Sequence, residues 1–132
     1  MTAVVTAVLI HHGDVLLLRR SNRVGTYQGK WACVSGYLEK DEAPEERAIT
    51  EIEEETGLSR ENVRMEKTVA PVIFSDEKKG ITWRVYPFLF CASHRDISID
   101  WEHQEYRWVA PQDISTYDTV PRLKEVVERL LY

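Results

Sequence analysis

The hydrophobic positions of the chain follow a strand-like pattern over most of its length. Runs rich in β-branched and aromatic residues are separated by turn signals such as Gly13-Asp14 and the charged segment SDEKKG. The polar segment Arg20–Lys30, which contains two glycines, predicts a loop. The strands predicted in this way are Ala3–His11, Val15–Arg19, Trp31–Val34, Val63–Phe74, Ile81–Ser93 and Tyr106–Val109.

Two segments instead follow a helical pattern. Pro44 suits the first turn of a helix and Gly57 suits a left-handed end, which predicts a helix over Pro44–Thr56. Apolar residues at helical spacing predict a second helix over Val120–Leu131, preceded by a short helical turn at Pro111-Gln112-Asp113. Strands interleaved with helices and hairpins predict an α/β (α+β) sandwich, with a mixed sheet packed between helices.

Length and composition indicate one domain spanning residues 1–132. The chain has 132 residues, of which 43% are hydrophobic, and this is enough for one compact soluble core. No apolar run approaches the ~20 residues needed to span a bilayer, and the N-terminus lacks the features of a signal peptide. We therefore expect a cytoplasmic protein without a membrane partner. Cys33 and Cys91 are too few for a disulfide framework and are interpreted as buried thiols.

Negative charge is concentrated in one segment. The net charge is −5, but the residues from Glu39 to Glu55 alone carry −7, so the rest of the chain carries +2. A protein without a basic face cannot neutralise many phosphates, which disfavours binding to duplex nucleic acid.

The acidic segment predicts a metal site. On a helical wheel, three carboxylates and Arg47 share one arc, and three apolar residues occupy a separate arc that can face the core. The carboxylates are Glu51, Glu54 and Glu55. Like charges three or four residues apart destabilise a helix unless a cation is present, and hard oxygen ligands favour Mg²⁺ or Mn²⁺. The alternative is an ordinary solvated helix face.

The order of residues favours the metal site. The segment GYLEKDEAPEERAITEIEEETGL resembles the signature of the Nudix hydrolase family (MutT-like pyrophosphohydrolases), G-x5-E-x7-R-E-U-x-E-E-x-G-U, in which U is aliphatic. The resemblance extends to the leading hairpin, the GKW strand, the later segment E-x-x-E-Y-R-W-V and the C-terminal helix, and so covers nearly the whole chain. The signature positions that match are Gly36, Glu42, Glu51, Ile52, Glu54, Glu55, Gly57 and Leu58.

One signature position departs from the family. Thr50 stands where the family has arginine. Arg47 lies on the same arc one turn earlier and can replace that arginine by bridging toward Glu51 or Glu54. If nothing replaces it, the alternative function is a nucleotide-binding sensor or regulatory module with weakened chemistry.

The resemblance implies Mg²⁺- or Mn²⁺-dependent hydrolysis of a pyrophosphate bond in a nucleoside diphosphate linked to another moiety, by metal-activated water. It implies that Glu51, Glu54 and Glu55 bind the metal with a backbone carbonyl of Ser35 or Gly36. The base that deprotonates water can be Glu51 or Glu54, or a downstream carboxylate, for which Glu102 and Glu105 are the candidates. The alternative for these two is a solvated loop carboxylate.

The remaining motif residues have supporting roles. Glu42 is expected to hold the loop before the helix through backbone N–H groups, and Gly36 and Gly57 to serve backbone geometry. Strand alternation directs only one of Arg19 and Arg20 into the site, and Arg20 better matches the family's phosphate contact. The alternative for Arg20 is a solvated surface arginine.

Aromatic residues are candidates for stacking on a base. They are Tyr27, Trp31, Phe74 and Trp83, with a core role as the alternative for Trp31. His11, His12 and His103 show no ligand spacing and are assigned no role. Nucleoside triphosphates, ADP-ribose-like sugars and capped RNA ends stay open as substrates, and a homodimer is common in the family without being indicated by any residue here.

Overall fold

The sheet of the protein is mixed and lies between two helices. A computed structural model describes the whole chain, Met1–Tyr132. The helices are α1 (Pro44–Thr56) and α2 (Leu123–Leu131), with short 3₁₀ turns at Arg60–Asn62 and Pro111–Thr116. The strands are β1 (Thr2–His11), β2 (Asp14–Arg20), β3 (Trp31–Ala32), β4 (Val34–Tyr37), β5 (Val63–Thr68), β6 (Val72–Asp76), β7 (Ile81–Ala92) and β8 (His103–Val109).

The longest pairing in the sheet joins β1 to β7. These strands run parallel in register from Thr2 opposite Trp83 to Ile10 opposite Cys91. The other edge of β1 pairs antiparallel with β2 near the hairpin turn and with β4 further along. The outer pairings of β2 are with β3 and β8, and those of β7 are with β5 and β6. The strand β4 therefore lies next to β1, at the middle of the sheet.

Each face of the sheet has its own core. Because side chains alternate along β1, Val5, Ala7 and Leu9 pack on one face with Ala48 and Ile52 of α1. On the opposite face, Val8 joins a cluster of 15 buried residues that includes the apolar stripe of α2. That stripe consists of Leu123, Val126, Val127 and Leu130. The predicted sandwich of helices around a mixed sheet is confirmed.

The strand predicted over Val63–Phe74 is wrong, because it is interrupted and forms two strands. The strand β5 ends at Thr68 opposite Phe88, and β6 begins at Val72 opposite Val85. The residues between these pairs include Pro71 on one chain segment and Pro87 on the other. A proline has no N–H to donate to the ladder, so pairing breaks there.

Smaller differences concern the ends of elements. The helix α1 has the predicted bounds. The helix α2 begins at Leu123 rather than Val120, since Pro121 disfavours the helical conformation of the residue before it. The strand predicted over Trp31–Val34 divides between two neighbours, β3 on β2 and β4 on β1.

Other expectations from composition have mixed outcomes. Cys33 is buried as predicted, whereas Cys91 is half-buried, and neither forms a disulfide. None of the helices has the length and apolarity required to cross a membrane.

The C-terminus of α1 depends on the conformation of Gly57. This residue has φ 78° and its N–H donates to the Glu53 carbonyl. A Cβ added here would lie 3.3 Å from Cβ of Ser98. A side chain at Gly57 is thus opposed both by the left-handed backbone and by the facing loop.

We expect Gly57→Ala to lower the free energy of unfolding by about 1–2 kcal/mol, which is the cost of the left-handed conformation for a residue with a Cβ. Urea denaturation followed by circular dichroism measures this change. Gly25→Ala is the matched control, because a Cβ at Gly25 meets nothing within 4 Å and its φ is not positive. Equal stability of the two variants would contradict the assignment.

Candidate active site

The three carboxylates near the C-terminal end of α1 lie in three different environments. Ala48 and Ile52 anchor this helix to the core, which fixes its rotation. Glu54 is then exposed and Glu51 is half-buried, whereas Glu55 is only 2% exposed. The helical wheel places the three on one arc, but the strands and loops around the helix cover Glu55 and leave Glu54 open. The cluster therefore spans the boundary between solvent and interior.

Glu51 lies directly against the backbone of β4. A Cβ built on Gly36 would be 2.0 Å from Oε1 of Glu51 and 2.3 Å from its Cδ. No side chain fits in that space, so glycine is required at this position for the carboxylate and the strand to approach each other. The close approach sets the backbone of β4 beside a carboxylate.

Burial and mutual repulsion change the ionisation of the cluster. Burial, a hydrogen bond with Glu54 and repulsion by that group raise the pKa of Glu51 to about 7. Burial raises the pKa of Glu55 well above its ordinary value, and repulsion by Glu51, Glu102 and Asp100 adds to it. The negative charge of the site is therefore incompletely compensated by the protein.

A fourth carboxylate, Glu102, lies near the three carboxylates of α1 although it is distant from them in sequence. It lies in the loop before β8 and lines the same cavity as Glu51 and Gly36. Burial raises its pKa, and repulsion by Asp100 contributes. Glu105, the other downstream candidate, pairs instead with Arg19 at 3.3 Å and with Arg107. The structure thus brings Glu102 to the cluster and leaves Glu105 outside it.

The donor set suits a hard divalent cation. Oε2 of Glu55 is buried without a hydrogen-bond partner, and carboxylate and carbonyl oxygens are the ligands that Mg²⁺ and Mn²⁺ prefer. No three acidic, histidine or cysteine side chains converge closely enough to coordinate a single ion as they stand.

Arg47 has a different partner from the one predicted. Its Nε donates to Oε2 of Glu42 at 2.8 Å, and its Nη2 lies 2.6 Å from the same oxygen. Oε1 of Glu42 accepts the backbone N–H of Glu39, which is the type of loop contact expected for this residue. Arg47 is thus bonded to the loop before α1, and it acts on Glu51 and Glu54 only through longer-range attraction.

The carboxylates border a cavity of about 200 Å³. Its wall contains Arg20, whose guanidinium is held by the backbone carbonyl and hydroxyl of Thr26 at 3.0 and 3.2 Å. The adjacent Arg19 bonds to Gly29 and Glu105, so the two arginines diverge as strand alternation predicts. Of Arg19 and Arg20, only Arg20 lines the cavity.

Four aromatic residues also line the cavity. The rings of Tyr37 and Trp83 stack with centroids 6.4 Å apart and an interplanar angle of 26°. The hydroxyl of Tyr27 accepts the Trp83 indole N–H and donates to Asp76 at 2.7 Å, which fixes both rings. The four residues are Tyr27, Tyr37, Phe74 and Trp83. Flat apolar walls of this kind suit a planar ring such as a nucleobase.

Trp31, the remaining one of the four aromatic candidates from the sequence, does not line this cavity. Its side chain is 8% exposed and packs in the core on the α2 side of the sheet, edge-on to Tyr117. The structure therefore corrects its expected role to a core role.

Sequence reasoning missed three residues near the cluster. Tyr37 was not included among the stacking candidates because it follows Gly36 inside the acidic motif. Its aromatic side chain next to the predicted metal site could have indicated a stacking role. Asp100 and His103 lie behind Glu55, with Nδ1 of His103 3.0 Å from Oδ1 of Asp100. Burial lowers the pKa of His103. Their proximity to Glu55 depends on tertiary structure and has no signal in the spacing of the residues.

The family model of the NUDIX domain matches residues 1–130. The chain belongs to the Nudix hydrolase family. A curated relative, the nucleoside triphosphatase NudI of Escherichia coli O81 (strain ED1a), is 31% identical over 125 residues, covering 87% of this chain and 86% of NudI. The predicted family resemblance is confirmed, and the protein is an enzyme of this family.

Solved Nudix structures share the fold. The MutT protein of Methanosarcina mazei Go1 superimposes with a TM-score of 0.76 at 29% identity, covering 97% of this chain and 91% of that one. An Ap4A hydrolase of C. elegans in a binary complex gives a TM-score of 0.80 at 18% identity, covering 98% and 94%. The Nudix domain of Shewanella oneidensis NrtR in complex with ADP ribose gives 0.75 at 20% identity, covering 96% and 84%.

Because Arg47 holds Glu42, we expect Arg47→Ala to loosen the loop before α1 and to reduce kcat about tenfold, the lower end of what loss of an outer contact costs. Steady-state hydrolysis assays measure this. Adding Thr50→Arg to the variant is expected to restore part of the rate. Arg60→Ala is the matched control, since Arg60 pairs with the exposed Glu46 of the same helix. An unchanged kcat in Arg47→Ala would refute the role of the pair.

Proposed function

We propose that the protein hydrolyses a pyrophosphate bond of a nucleoside triphosphate in a reaction that depends on Mg²⁺ or Mn²⁺. The observation that carries this proposal is the location of four carboxylates beside an aromatic cavity. Glu51 and Glu102 line that cavity together with Gly36, and Glu54 and Glu55 adjoin Glu51. The four carboxylates, whose charge a cation would neutralise, therefore lie next to aromatic side chains that suit a nucleobase.

Glu51, Glu54 and Glu55 are the proposed metal ligands, with the backbone carbonyl of Ser35 or Gly36. A bound divalent cation would neutralise phosphate oxygens and lower the pKa of a coordinated water. The close packing of Glu51 on Gly36 supports this assignment, because it holds the carboxylate beside the strand that supplies the carbonyl. The unpartnered Oε2 of Glu55 adds a buried acceptor to the set.

Glu102 is the proposed general base. Its carboxylate lines the cavity, and its raised pKa makes it a better proton acceptor than an ordinary solvated carboxylate. Its backbone carbonyl accepts the Ser21 N–H at 2.7 Å, which ties its loop to the end of β2. Glu51 and Glu54 then bind the metal and orient the water rather than accept its proton.

Arg20 and the aromatic walls are proposed to bind the substrate. The Arg20 guanidinium, pre-positioned by Thr26, can pair with phosphate oxygens as a planar cation. Tyr37 and Trp83 can stack on the base. The relative NudI is a nucleoside triphosphatase, which favours this substrate class over ADP-ribose and dinucleoside polyphosphates.

A panel of nucleotides tests the substrate class. Nucleoside triphosphates, ADP-ribose, nucleotide sugars and dinucleoside polyphosphates would each be assayed with Mg²⁺, with Mn²⁺ and with chelator. We expect chelator-sensitive release of a nucleoside monophosphate, fastest from a triphosphate. Nucleotide binding without any turnover would instead favour the sensor module, with Thr50 as its cause.

We expect Glu54→Gln to reduce kcat at least about 100-fold, because the change removes a charge from the proposed metal site while keeping the shape of the side chain. The same assay with saturating Mg²⁺ measures it. Glu53→Gln is the matched control, since Glu53 is a neighbouring exposed carboxylate of the same helix that does not adjoin the cluster. If the two variants lose activity equally, the loss would reflect general helix charge and not a metal ligand.

A further inference from the structure

The carboxylate of Glu55 has a buried histidine behind it. His103, the first residue of β8, has a side chain that is 2% exposed, and its Nε2 lies 3.6 Å from Oε1 of Glu55. On the other side of the ring, Nδ1 lies 3.0 Å from Oδ1 of Asp100. The imidazole is therefore fixed by a hydrogen bond on one edge and contacts Glu55 with the other.

Asp100 links this histidine to the rest of the site. Its Oδ1 also accepts the backbone N–H of Glu102 at 3.2 Å, so one carboxylate holds both the ring behind Glu55 and the loop residue that lines the cavity. Two positions earlier, the Ser98 N–H donates to the carbonyl of Thr56 at 2.9 Å. The loop before β8 is thus fastened to the end of α1, next to Glu55.

A purely structural role does not account for this arrangement. Glu55 and His103 are packed together in the interior beside the half-buried Asp100, and apolar side chains of similar size in the interior would avoid the free-energy cost of removing polar groups from water. Of the two oxygens of Glu55, Oε1 faces the ring and Oε2 has no partner. The histidine therefore packs against one oxygen of the carboxylate, and the second oxygen has no hydrogen-bond partner.

We infer that Asp100 and His103 are positioning residues, which hold the carboxylate of Glu55 in the orientation that a divalent cation requires. This inference rests on the proposed metal-dependent hydrolysis. Residues that orient a ligand from behind typically change metal affinity or activity 10- to 100-fold when they are replaced. The effect on binding of the metal is the property that distinguishes positioning from general stability.

The test compares Mn²⁺ binding by the full chain, measured by electron paramagnetic resonance, in the wild type and in His103→Leu. Leucine fills the space but cannot bond to Asp100 or present a polar edge to Glu55. We expect its Mn²⁺ Kd to rise about 10- to 100-fold, with a lower kcat and a nearly unchanged KM for the nucleotide. His103→Gln, which retains a polar amide, is expected to recover part of the affinity.

Val109→Ala is the matched control for stability. Val109 is a buried residue at the other end of β8 and belongs to the core on the α2 side. It is expected to lower the midpoint of thermal unfolding while leaving the Mn²⁺ Kd unchanged. If His103→Leu does not fold, as judged by circular dichroism, Asp100→Asn decides instead, because it keeps the size of the side chain and is expected to weaken Mn²⁺ binding.

Wild-type Mn²⁺ affinity in folded His103→Leu or, where that variant does not fold, in Asp100→Asn would overturn the inference. Such a result would leave the proposed hydrolysis intact, since the wild type would still bind Mn²⁺ and turn over nucleotide. A wild type that neither binds Mn²⁺ nor hydrolyses any nucleotide would overturn the proposed function and this inference together.

Discussion

The packing of Ala48 and Ile52 into the core holds the acidic end of α1 against the sheet. This contact leaves Glu51 on the backbone of Gly36 and Glu55 in the interior. Removing carboxylates from water costs free energy, and it is this cost that raises the pKa of both groups. Hydrophobic packing thus maintains a concentration of negative charge that the protein's own cations do not neutralise. Arg47, the arginine of the same helix, is engaged by Glu42.

Two regions of the structure flank the carboxylate cluster, namely the loop before β8 and the aromatic cavity. On one side, the loop before β8 contributes Glu102 and the Asp100–His103 pair and is bonded to both α1 and β2. On the other side, Arg20 and the aromatic walls form a cavity whose rings are fixed by the hydrogen bonds among Tyr27, Trp83 and Asp76. A nucleotide would therefore meet rings and an arginine that are already in place, and such preorganisation reduces the ordering cost of binding. The carboxylates, in contrast, would have to move together to coordinate a cation.

Features that depend on interactions between residues close in sequence were predicted correctly, whereas features that depend on contacts between distant segments were not. The bounds of α1 depend on Pro44 and Gly57, which act locally, and both ends were predicted correctly. The interruption between β5 and β6 depends on Pro71 and Pro87, which both lie between the two paired stretches, and strand pairing is invisible in a local pattern. Cysteine burial likewise differed, since Cys33 is buried in the core and Cys91 is half-buried.

The site followed the same rule. The spacing of Glu51, Glu54 and Glu55 was readable from the motif, but the burial of Glu55 was not, since β8 and its loop cover it. Trp31 and Tyr37 are six residues apart and equally aromatic, yet the strand break between β3 and β4 directs them to different places. The partner of Arg47 was also predicted wrongly, although all the candidate carboxylates are close to it in sequence. Arg47 has several carboxylates within reach, and it bonds to Glu42 rather than to Glu51 or Glu54.

The central claim is that the carboxylates around Gly36 form a cation site that serves a nucleotide in the aromatic cavity. Anomalous diffraction from crystals grown with Mn²⁺ and a non-hydrolysable nucleoside triphosphate tests this claim most directly. We predict a manganese peak among the oxygens of Glu51, Glu54 and Glu55, with phosphate oxygens on the same ion and the base between the rings of the cavity. Saturating Mn²⁺ with no peak at these three carboxylates, or a nucleotide bound elsewhere, would contradict the account.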